Sequence, residues 1–461
     1  MNEIGNGDRM RVKGIYTARD SECRFAERTL EVFDEASATE KKAGDESCEV
    51  IRIKPQEQYQ EVLGFGGAFT DTAAAALSAM KPELQEEAVR AYFDPVCGLG
   101  YNMGRIPIGG CDFSRAPYSH AEVPGDTELL CHSIDMDKRG IIPLIRRAGT
   151  YMAEELLLYA LPWSPPGWMK DSRDMNWGGH LLPQYYPVMA DYIAKFVQKY
   201  EDEGIAIWGV AAQNEPIEIQ RWPSCEYTGA EERIFLKDHL IPALEKSGFG
   251  DKKILFWDCN KDFLASRAEE VLGDGALRGK VFGAAFHWYS GDYFEELDRV
   301  HSRFPEMRLL ATEGCVVMPE SLDDWTSGER YAHSMIGDLN HWTCAWMDWN
   351  LFLNQDSGPG IADNPCAAPV ILDEQRQKLI RMSSYYYIGH FSRYIRRGAI
   401  RLGIVPGQNL ECCAFLNPDR TIVVVVMNTQ GAAVCADICI DAHRIPVRLQ
   451  PHSIETILVS E

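Results

Sequence analysis

Two glutamates in this sequence stand at the ends of apolar runs, where buried strands would present them to a cavity. Glu215 follows IAIWGVAAQN, and Glu313 follows MRLLAT. Two carboxylates that face one cavity are what hydrolysis of a glycosidic bond requires, because one protonates the departing oxygen while the other attacks the sugar carbon or activates water. A single glutamate at such a position could equally pair with an arginine or cap a helix. The pair, with Asn214 before one and Gly314 after the other, favours the catalytic interpretation.

The segment RIPIGGCDFS supplies two further polar residues at the end of an apolar run. Asp112 could accept hydrogen bonds from sugar hydroxyls. Arg105 lies inside a predicted buried strand and therefore needs a carboxylate partner. If that partner is Glu313, the arginine favours the ionised, nucleophilic form of the glutamate. A purely structural ion pair explains Arg105 equally well.

Aromatic residues cluster at the ends of three other apolar runs. Trp163 is the first residue of WSPPGW, His287 and Tyr289 are the first and last residues of HWY, and Trp349 lies in WMDWN. Flat aromatic faces stack on the C–H face of a sugar while polar tips bind its hydroxyls. A lone tryptophan belongs more often to a core, and a lone histidine is more often a hydrogen-bonded structural residue. Three clusters in equivalent positions favour sugar binding.

Other kinds of site lack their motifs. The glycines at 64–67 (GFGG) are followed neither by the third glycine of GxGxxG nor by GK[ST], so no nucleotide site is predicted. There is no GxSxG, no HExxH and no CxxC pair. We interpret the 14 cysteines as free thiols, mostly small apolar core residues. No metal and no cofactor is expected.

Composition and charge restrict the class of partner. The 461 residues are 46% hydrophobic and 25% charged, and 46 basic against 68 acidic residues give a net charge of −22. This balance is typical of an ordinary globular protein, and its sign argues against a nucleic-acid partner. A neutral ligand such as a sugar is compatible with it. No apolar stretch reaches the roughly 20 residues of a membrane span. The polar N-terminus shows no signal peptide, which favours a cytoplasmic location, although a removed signal would leave secretion open.

These candidate residues need a scaffold that brings distant strand ends together. Eight apolar runs alternate with amphipathic segments, and helices are predicted over 186–200, 231–245, 263–272 and 328–340. Strands that are apolar on both faces indicate a parallel sheet covered by helices. Eight such units favour a (β/α)8 TIM barrel over a doubly wound sheet, and they place the active site at the C-terminal ends of the strands. The eight runs are residues 62–69, 99–108, 155–163, 205–213, 253–259, 280–289, 307–314 and 343–353.

Both ends of the chain have the pattern of short strands in which apolar and polar residues alternate. Segments 48–55, 399–405, 412–429 and 453–460 have this pattern, NPDR at 417–420 is a turn signal, and the polar stretch 35–47 is predicted to be a hairpin loop. Neither end is large enough to form a core alone. We therefore predict one side β-sandwich built from residues 1–60 and 395–461, with the catalytic barrel over 61–394.

Taken together, the motifs resemble glycoside hydrolase family 30, in particular its glucosylceramidase and β-glucosidase branch. The similarity runs in order from about residue 60 to 395 and continues into YYYIGHFSRYIRRGAIRLG (385–403). The motifs are GFGGAFTD (64–71), RIPIGGCDFS (105–114), WSPPGW (163–168), QNEP (213–216), HWY (287–289), TEG (312–314) and WMDWNL (346–351).

The resemblance implies a retaining enzyme without a metal, acting by double displacement. It implies that Glu215 is the general acid/base and Glu313 the nucleophile. The family's glycone contacts fall on Asp112, Trp163, Asn214, Trp349 and Asn364, and the residues around the nucleophile fall on Arg105, His287 and Tyr289.

The expected function is hydrolysis of β-D-glucosidic bonds in a small-molecule or oligosaccharide β-glycoside. The segments 216–227 and 357–370, which line the leaving-group side in this family, match no single subtype. An endo-β-1,6-glucanase, a β-xylosidase or a β-fucosidase therefore stays an alternative within the family. A metal-dependent barrel hydrolase and a non-catalytic sugar-binding barrel are the alternatives outside it. The sequence indicates neither the aglycone nor an oligomeric state.

Overall fold

A computed structural model describes residues 10–34 and 48–460. The predicted hairpin loop at 35–47 lies outside the described residues. Among the described residues, no helix combines the length and the apolarity that crossing a membrane would need.

Eight parallel strands close into a barrel. Seven of them fall within the predicted apolar runs, and the fifth, Lys253–Asn260, extends one residue beyond its run. The second and eighth strands are buried at every position, because one face of each strand points into the barrel and the other lies under helices. The predicted (β/α)8 fold is therefore confirmed. In chain order the strands are Gly64–Ala68, Met103–Pro107, Leu157–Leu161, Gly209–Ala211, Lys253–Asn260, Gly283–His287, Arg308–Glu313 and Thr343–Asn350.

Helices alternate with these strands, and the spacing of their apolar residues explains how they pack against the barrel. In Tyr186–Asp202 the buried side chains Met189, Ile193, Phe196 and Tyr200 recur every three or four residues, so one stripe of the helix faces inward. The other barrel helices are Asp71–Ser78, Pro82–Phe93, Ile141–Gly149, Gly229–Ile234, Ile241–Lys246, Leu264–Leu272 and Phe294–Arg303.

The helix predicted over 231–245 is interrupted rather than continuous. It begins at Gly229, where Thr228 and Glu231 form a reciprocal capping box, and residues Phe235–Leu240 form a π-helical turn before Ile241–Lys246. Pro242 has no backbone N–H to donate to the preceding turn, which accounts for the local change in hydrogen bonding.

Strands from both chain ends form one ten-stranded sheet, as predicted. Residues from eight of its strands share a single apolar cluster, so the sheet encloses its own core as a sandwich does. The predicted turn at 417–420 is present: Arg420 N–H donates to Asn417 O over 2.9 Å, between antiparallel strands. In sheet order the strands are Ala26–Thr29, Arg11–Ala18, Ser453–Ser460, Ile422–Asn428, Glu411–Leu416, Ile400–Val405, Glu49–Glu61, Val434–Ile440, His443–Leu449 and Phe33–Asp34.

By its internal contacts the chain divides into two compact units. One contains Phe65–Leu322 and His341–Ile380, and every candidate site residue lies in it. The other contains the described residues up to Gly64, Asp323–Asn340 and the described residues from Arg381 onward, so the helices Thr326–Asn340 and Ser383–Ser392 belong to the same unit as the sandwich strands. The predicted boundaries after residues 60 and 394 follow the linear order of the chain and stay a prediction. A small sheet of Phe352–Asn354, Val370–Asp373 and Lys378–Arg381 follows the eighth barrel strand.

Candidate active site

The two glutamates singled out by the sequence meet at the C-terminal ends of the barrel strands. Glu313 is the last residue of the seventh strand, and Glu215 lies just beyond the fourth. One carboxylate oxygen of each lies within 4.8 Å of the other and of a ring nitrogen of His287. Glu215 has a left-handed backbone, with φ of 45°, which is held by its N–H donating to Asp258 O over 2.9 Å. The strained turn directs the Glu215 side chain toward Glu313.

Glu313 is buried and its two oxygens are bound separately. The guanidinium of Arg105 donates through Nη1 to Oε2, and the hydroxyl of Tyr289 donates to Oε1 over 2.8 Å. Burial raises the pKa of Glu313, while the charges of His287 and Arg105 oppose that rise. The two donors hold the carboxylate plane in one orientation, so the carboxylate is pre-positioned for a reaction at the cleft.

Arg105 is fully buried and connects several groups of the site. Its Nη2 donates to Asn214 Oδ1 over 2.7 Å and to Asp258 Oδ1 over 2.9 Å. Burial alone would lower the pKa of Arg105, but the carboxylates Asp258 and Glu313 raise it, so the group is a permanent cation. The guanidinium carbon also lies 4.6 Å from the ring centroid of Trp163 and 5.1 Å from that of Trp349.

Asp258 is the principal site residue that the sequence reasoning missed. It sits in the fifth barrel strand at a β-bulge, with φ of 53°, and the bulge turns its side chain toward Arg105. It accepts hydrogen bonds from Arg105, from the Tyr159 hydroxyl and from Thr312 Oγ1. Burial opposes its ionisation, but the neighbouring cations outweigh burial and lower the pKa of Asp258 to about 2. The sequence did hold a signal for Asp258, because Arg105 needs a carboxylate partner and the segment KILFWDC places an aspartate in a predicted strand.

His287 lies between carboxylates on both sides of its ring. Nδ1 is 3.1 Å from Glu215 Oε1, and Nε2 is 2.6 Å from Asp258 Oδ1. Burial alone would lower its pKa, but Glu313, Asp258 and Glu215 raise the pKa of His287 to about 9. The imidazolium form can donate from both nitrogens at once, which links Glu215 to the ion-paired network behind it.

Aromatic, carboxyl and amide groups next to this network complete the site. The rings of Trp163 and Trp349 stack with centroids 5.2 Å apart and planes 16° from parallel. Asn364 Nδ2 donates to Asp112 Oδ2 over 3.0 Å, while Asp112 Oδ1 is buried and accepts no hydrogen bond from any described residue. Burial, together with Glu313, raises the pKa of Asp112 to about 7. An unmet buried acceptor beside aromatic faces is suited to a ligand hydroxyl.

These groups border a cleft of about 380 Å³. Eight of the ten predicted site residues line it, whereas Arg105 and His287 lie behind its wall and contact the carboxylates from there. Glu218, Gln220 and Trp222 also line the cleft, and they lie in the segment 216–227 that the resemblance places on the leaving-group side, although none was named as a site residue. Asn260 lines the cleft as well and was not predicted. The predicted residues that line it are Asp112, Trp163, Asn214, Glu215, Tyr289, Glu313, Trp349 and Asn364.

The site fits an uncharged ligand better than a metal ion. Glu215, His287 and Glu313 are close enough to offer three ligand atoms to one cation. Both ring nitrogens of His287, however, already face carboxylates, and Glu313 is paired with the guanidinium of Arg105. A divalent ion would have to compete with two cations for the same oxygens.

Comparison with known proteins agrees with this arrangement. The family model for the Glycosyl hydrolase family 30 TIM-barrel domain matches residues 62–395, and that for the family 30 beta sandwich domain matches residues 398–457. The chain is 35% identical to the lysosomal acid glucosylceramidase of Mus musculus over 399 residues, which cover 82% of this chain and 77% of that protein.

Two solved structures superpose over nearly the whole chain. The crystal structure of SrfJ from Salmonella typhimurium has a TM-score of 0.92 at 33% identity, covering 97% of this chain and 99% of that one. An endo-β1,6-glucanase has a TM-score of 0.87 at 26% identity, covering 98% of this chain and 100% of the other.

Proposed function

This chain belongs to glycoside hydrolase family 30 and is a glycosidase, and from that premise we propose that it hydrolyses β-D-glucosidic bonds by double displacement with retention of configuration. The observation that carries the proposal is the approach of the Glu215 and Glu313 carboxylates, with an oxygen of each within 4.8 Å. Retaining enzymes hold their two carboxyl groups about 5–5.5 Å apart, whereas inverting enzymes leave roughly 6.5–9.5 Å for a water molecule between them. The short separation supports retention.

We assign the nucleophile to Glu313. Its two oxygens are oriented by Arg105 and Tyr289, and the positive charges of Arg105 and His287 favour its ionised form against burial. A carboxylate attacks the anomeric carbon only in that form. The hydroxyl of Tyr289 can release Oε1 as the covalent bond forms.

We assign the general acid/base to Glu215. Its carboxyl group borders the cleft, and its Oε1 lies 3.1 Å from Nδ1 of His287. In the first step Glu313 attacks the anomeric carbon while Glu215 gives its proton to the leaving oxygen. In the second, Glu215 takes a proton from water, and the water replaces Glu313 on the sugar with the β configuration restored.

The remaining cleft residues support recognition of a sugar in the position where these steps occur. The stacked rings of Trp163 and Trp349 offer apolar faces, and Asp112, Asn214 and Asn364 offer hydrogen-bonding groups for hydroxyls. The similarity to a glucosylceramidase supports glucose as the glycone. The substrate class is then a β-glucoside of the glucosylceramidase or β-glucosidase kind.

An endo-β-1,6-glucanase activity is the second candidate. The leaving-group side of the cleft carries Glu218, Gln220 and Trp222, which are groups that suit a further sugar unit as well as an apolar aglycone. The glucanase whose structure superposes on this chain supports that alternative.

Initial rates on a panel of nitrophenyl β-glycosides test the proposal, with Glu313→Ala as the control. We expect turnover on the β-glucoside that the variant lacks, and NMR of the first product should show the β anomer. An α anomer as first product would overturn the retaining mechanism. Oligosaccharides released from β-1,6-glucan, without turnover of nitrophenyl glucoside, would select the endo-glucanase. Preference for the xyloside or the fucoside would select those alternatives.

A further inference from the structure

Two buried cysteines face each other in the wall of the catalytic cleft. The Sγ atoms of Cys315 and Cys366 are 3.0 Å apart, and less than a tenth of either residue is exposed. Cys315 follows Glu313 by two residues, and Cys366 follows Asn364 by two. A disulfide bond measures about 2.05 Å, so closing this gap needs a sulfur displacement of roughly 1 Å.

The backbone already holds the two segments side by side. Met318 N–H donates to Pro365 O over 2.6 Å, Ala367 N–H donates to Val316 O over 2.9 Å, and an isolated antiparallel bridge joins Val317 to Cys366. These contacts flank the sulfur pair on both segments. The backbone contacts therefore keep the two sulfurs close to each other, as formation of a disulfide requires.

Each thiol also contacts a group that positions a residue of the proposed site. The hydroxyl of Tyr289, which donates to Glu313, lies 3.5 Å from the sulfur of Cys315. The sulfur of Cys366 lies 3.5 Å from Asn364 Oδ1, and Asn364 donates to Asp112. A change in the oxidation state of the pair thus alters the surroundings of the proposed nucleophile and of a proposed sugar contact together.

We propose that Cys315 and Cys366 form a reversible dithiol–disulfide pair whose oxidation by a peroxide slows hydrolysis at the cleft, an inference whose kinetic part rests on the proposed function. The Cys366 sulfur, as thiolate, attacks one oxygen of hydrogen peroxide, the O–O bond breaks, and the leaving hydroxide takes up a proton to become water. The Cys315 sulfur then attacks the resulting sulfenic acid, the S–O bond breaks, and a second water leaves with the Cys315 proton. The two thiols lose two electrons, and the peroxide is reduced to two waters.

Competing thiol reactions must be removed before the test. Cys97 and Cys131 are exposed and would react with peroxide at the surface. The Cys97→Ser, Cys131→Ser chain therefore serves as the parent. The same chain with Cys366→Ala is the matched control, because it removes one member of the pair and leaves the remaining 11 cysteines unchanged.

Both proteins are treated with hydrogen peroxide, and the intact mass and the initial rate of hydrolysis are measured separately. In the parent we expect an intact mass lower by about 2 Da and a non-reduced peptide that links Cys315 to Cys366. The initial rate should fall roughly fivefold, as for the loss of one ordinary hydrogen bond, and dithiothreitol should restore it. The Cys366→Ala chain should show neither the cross-link nor the reversible loss, whatever its starting rate.

Three results would overturn the proposal: no cross-linked peptide, a cross-link between other cysteines, or a Cys315–Cys366 cross-link with an unchanged rate. Mass and peptide mapping do not depend on any glycosidase activity. If no substrate were turned over at all, the proposed function would fail, while the cross-link would still report on the cysteine pair.

Discussion

His287 makes the stability of the folded chain depend on pH in a direction that the structure specifies. Its pKa is raised from 6.5 to about 9 by the carboxylates around it. A histidine whose folded-state pKa is raised stabilises the fold fully below its unfolded pKa and loses that contribution as the pH rises through the folded value. The stabilisation should therefore be complete below about pH 6.5 and absent above about pH 9.

The size of this effect follows from the difference between the folded and unfolded pKa values of His287. Each pH unit of separation between folded and unfolded pKa values corresponds to roughly 1.4 kcal/mol, so the imidazolium form contributes about 3 kcal/mol to the free energy of unfolding at low pH. This is a large share of the roughly 5–15 kcal/mol that typical domains possess. His287 is completely buried, so solvent screening does not reduce the figure.

The assay is urea unfolding of the wild type and of His287→Gln at intervals between about pH 6 and pH 10. Glutamine is neutral throughout, so the difference between the two chains isolates the histidine and cancels titrations that both share, such as that of Asp112. We expect the wild type to exceed the variant by about 3 kcal/mol more at pH 6 than at pH 10. A difference that stays constant over this range, or grows with pH, would refute the assignment of His287 as a buried cation.

Three further predictions concern the carboxylates of the site. Glu313→Ala should abolish measurable turnover of every β-glycoside, whereas Glu215→Ala should keep part of it on nitrophenyl glycosides and lose roughly 10²–10⁴-fold on alkyl glycosides, because only poor leaving groups need the proton. Initial rates on the two substrate classes measure this, and equal losses on both would contradict the assigned roles. Asp258→Asn removes a partner of both Arg105 and His287, so it should lower kcat/KM roughly 10–100-fold and lower the pKa of His287. Initial rates measure the first effect and NMR titration measures the second. An unchanged titration of His287 would count against this prediction. Asp112 has its pKa raised from 3.8 to about 7 by burial and by Glu313, so the fold loses stability as the pH rises from about 4 to about 7, where the unfolded carboxyl group ionises and the folded one stays protonated. Asp112→Asn should therefore unfold at higher urea than the wild type at pH 8 but not at pH 4. No gain at pH 8 would contradict a buried, costly carboxylate.

Much of the fold could be predicted because its signal is local. Runs such as 307–314 and 343–353 are apolar on both faces, and burial on both faces is a property of parallel barrel strands. The strand His443–Leu449 was not singled out, although Ile445, Val447 and Leu449 alternate in it with more polar residues. It pairs along its whole length with Val434–Ile440, and the choice of a partner strand has no sequence period.

The sequence could predict which residues belong to the candidate site, but it could not predict how they are arranged. Glu215 and Glu313 stand out because each follows an apolar run, and the fold then requires them to share one end of the barrel. Asp258 did not stand out, because a β-bulge reverses the direction that simple strand alternation assigns to its side chain. The residues Glu218 and Trp222 lie on a loop, where no periodic pattern indicates which side chains turn toward the cleft.

The sequence by itself determined which chemistry is available: two carboxylates, one buried arginine and aromatic groups, each within a predicted strand or at its end. Only the tertiary structure decided which of them act together. Arg105 is 208 residues from Glu313 and 153 from Asp258, yet it binds both, and Cys315 meets Cys366 across 51 residues. Closure of the barrel sets these distances, because the register of neighbouring strands and the bulges within them fix where each side chain points. Those quantities depend on the packing of the whole barrel, and no short segment encodes them.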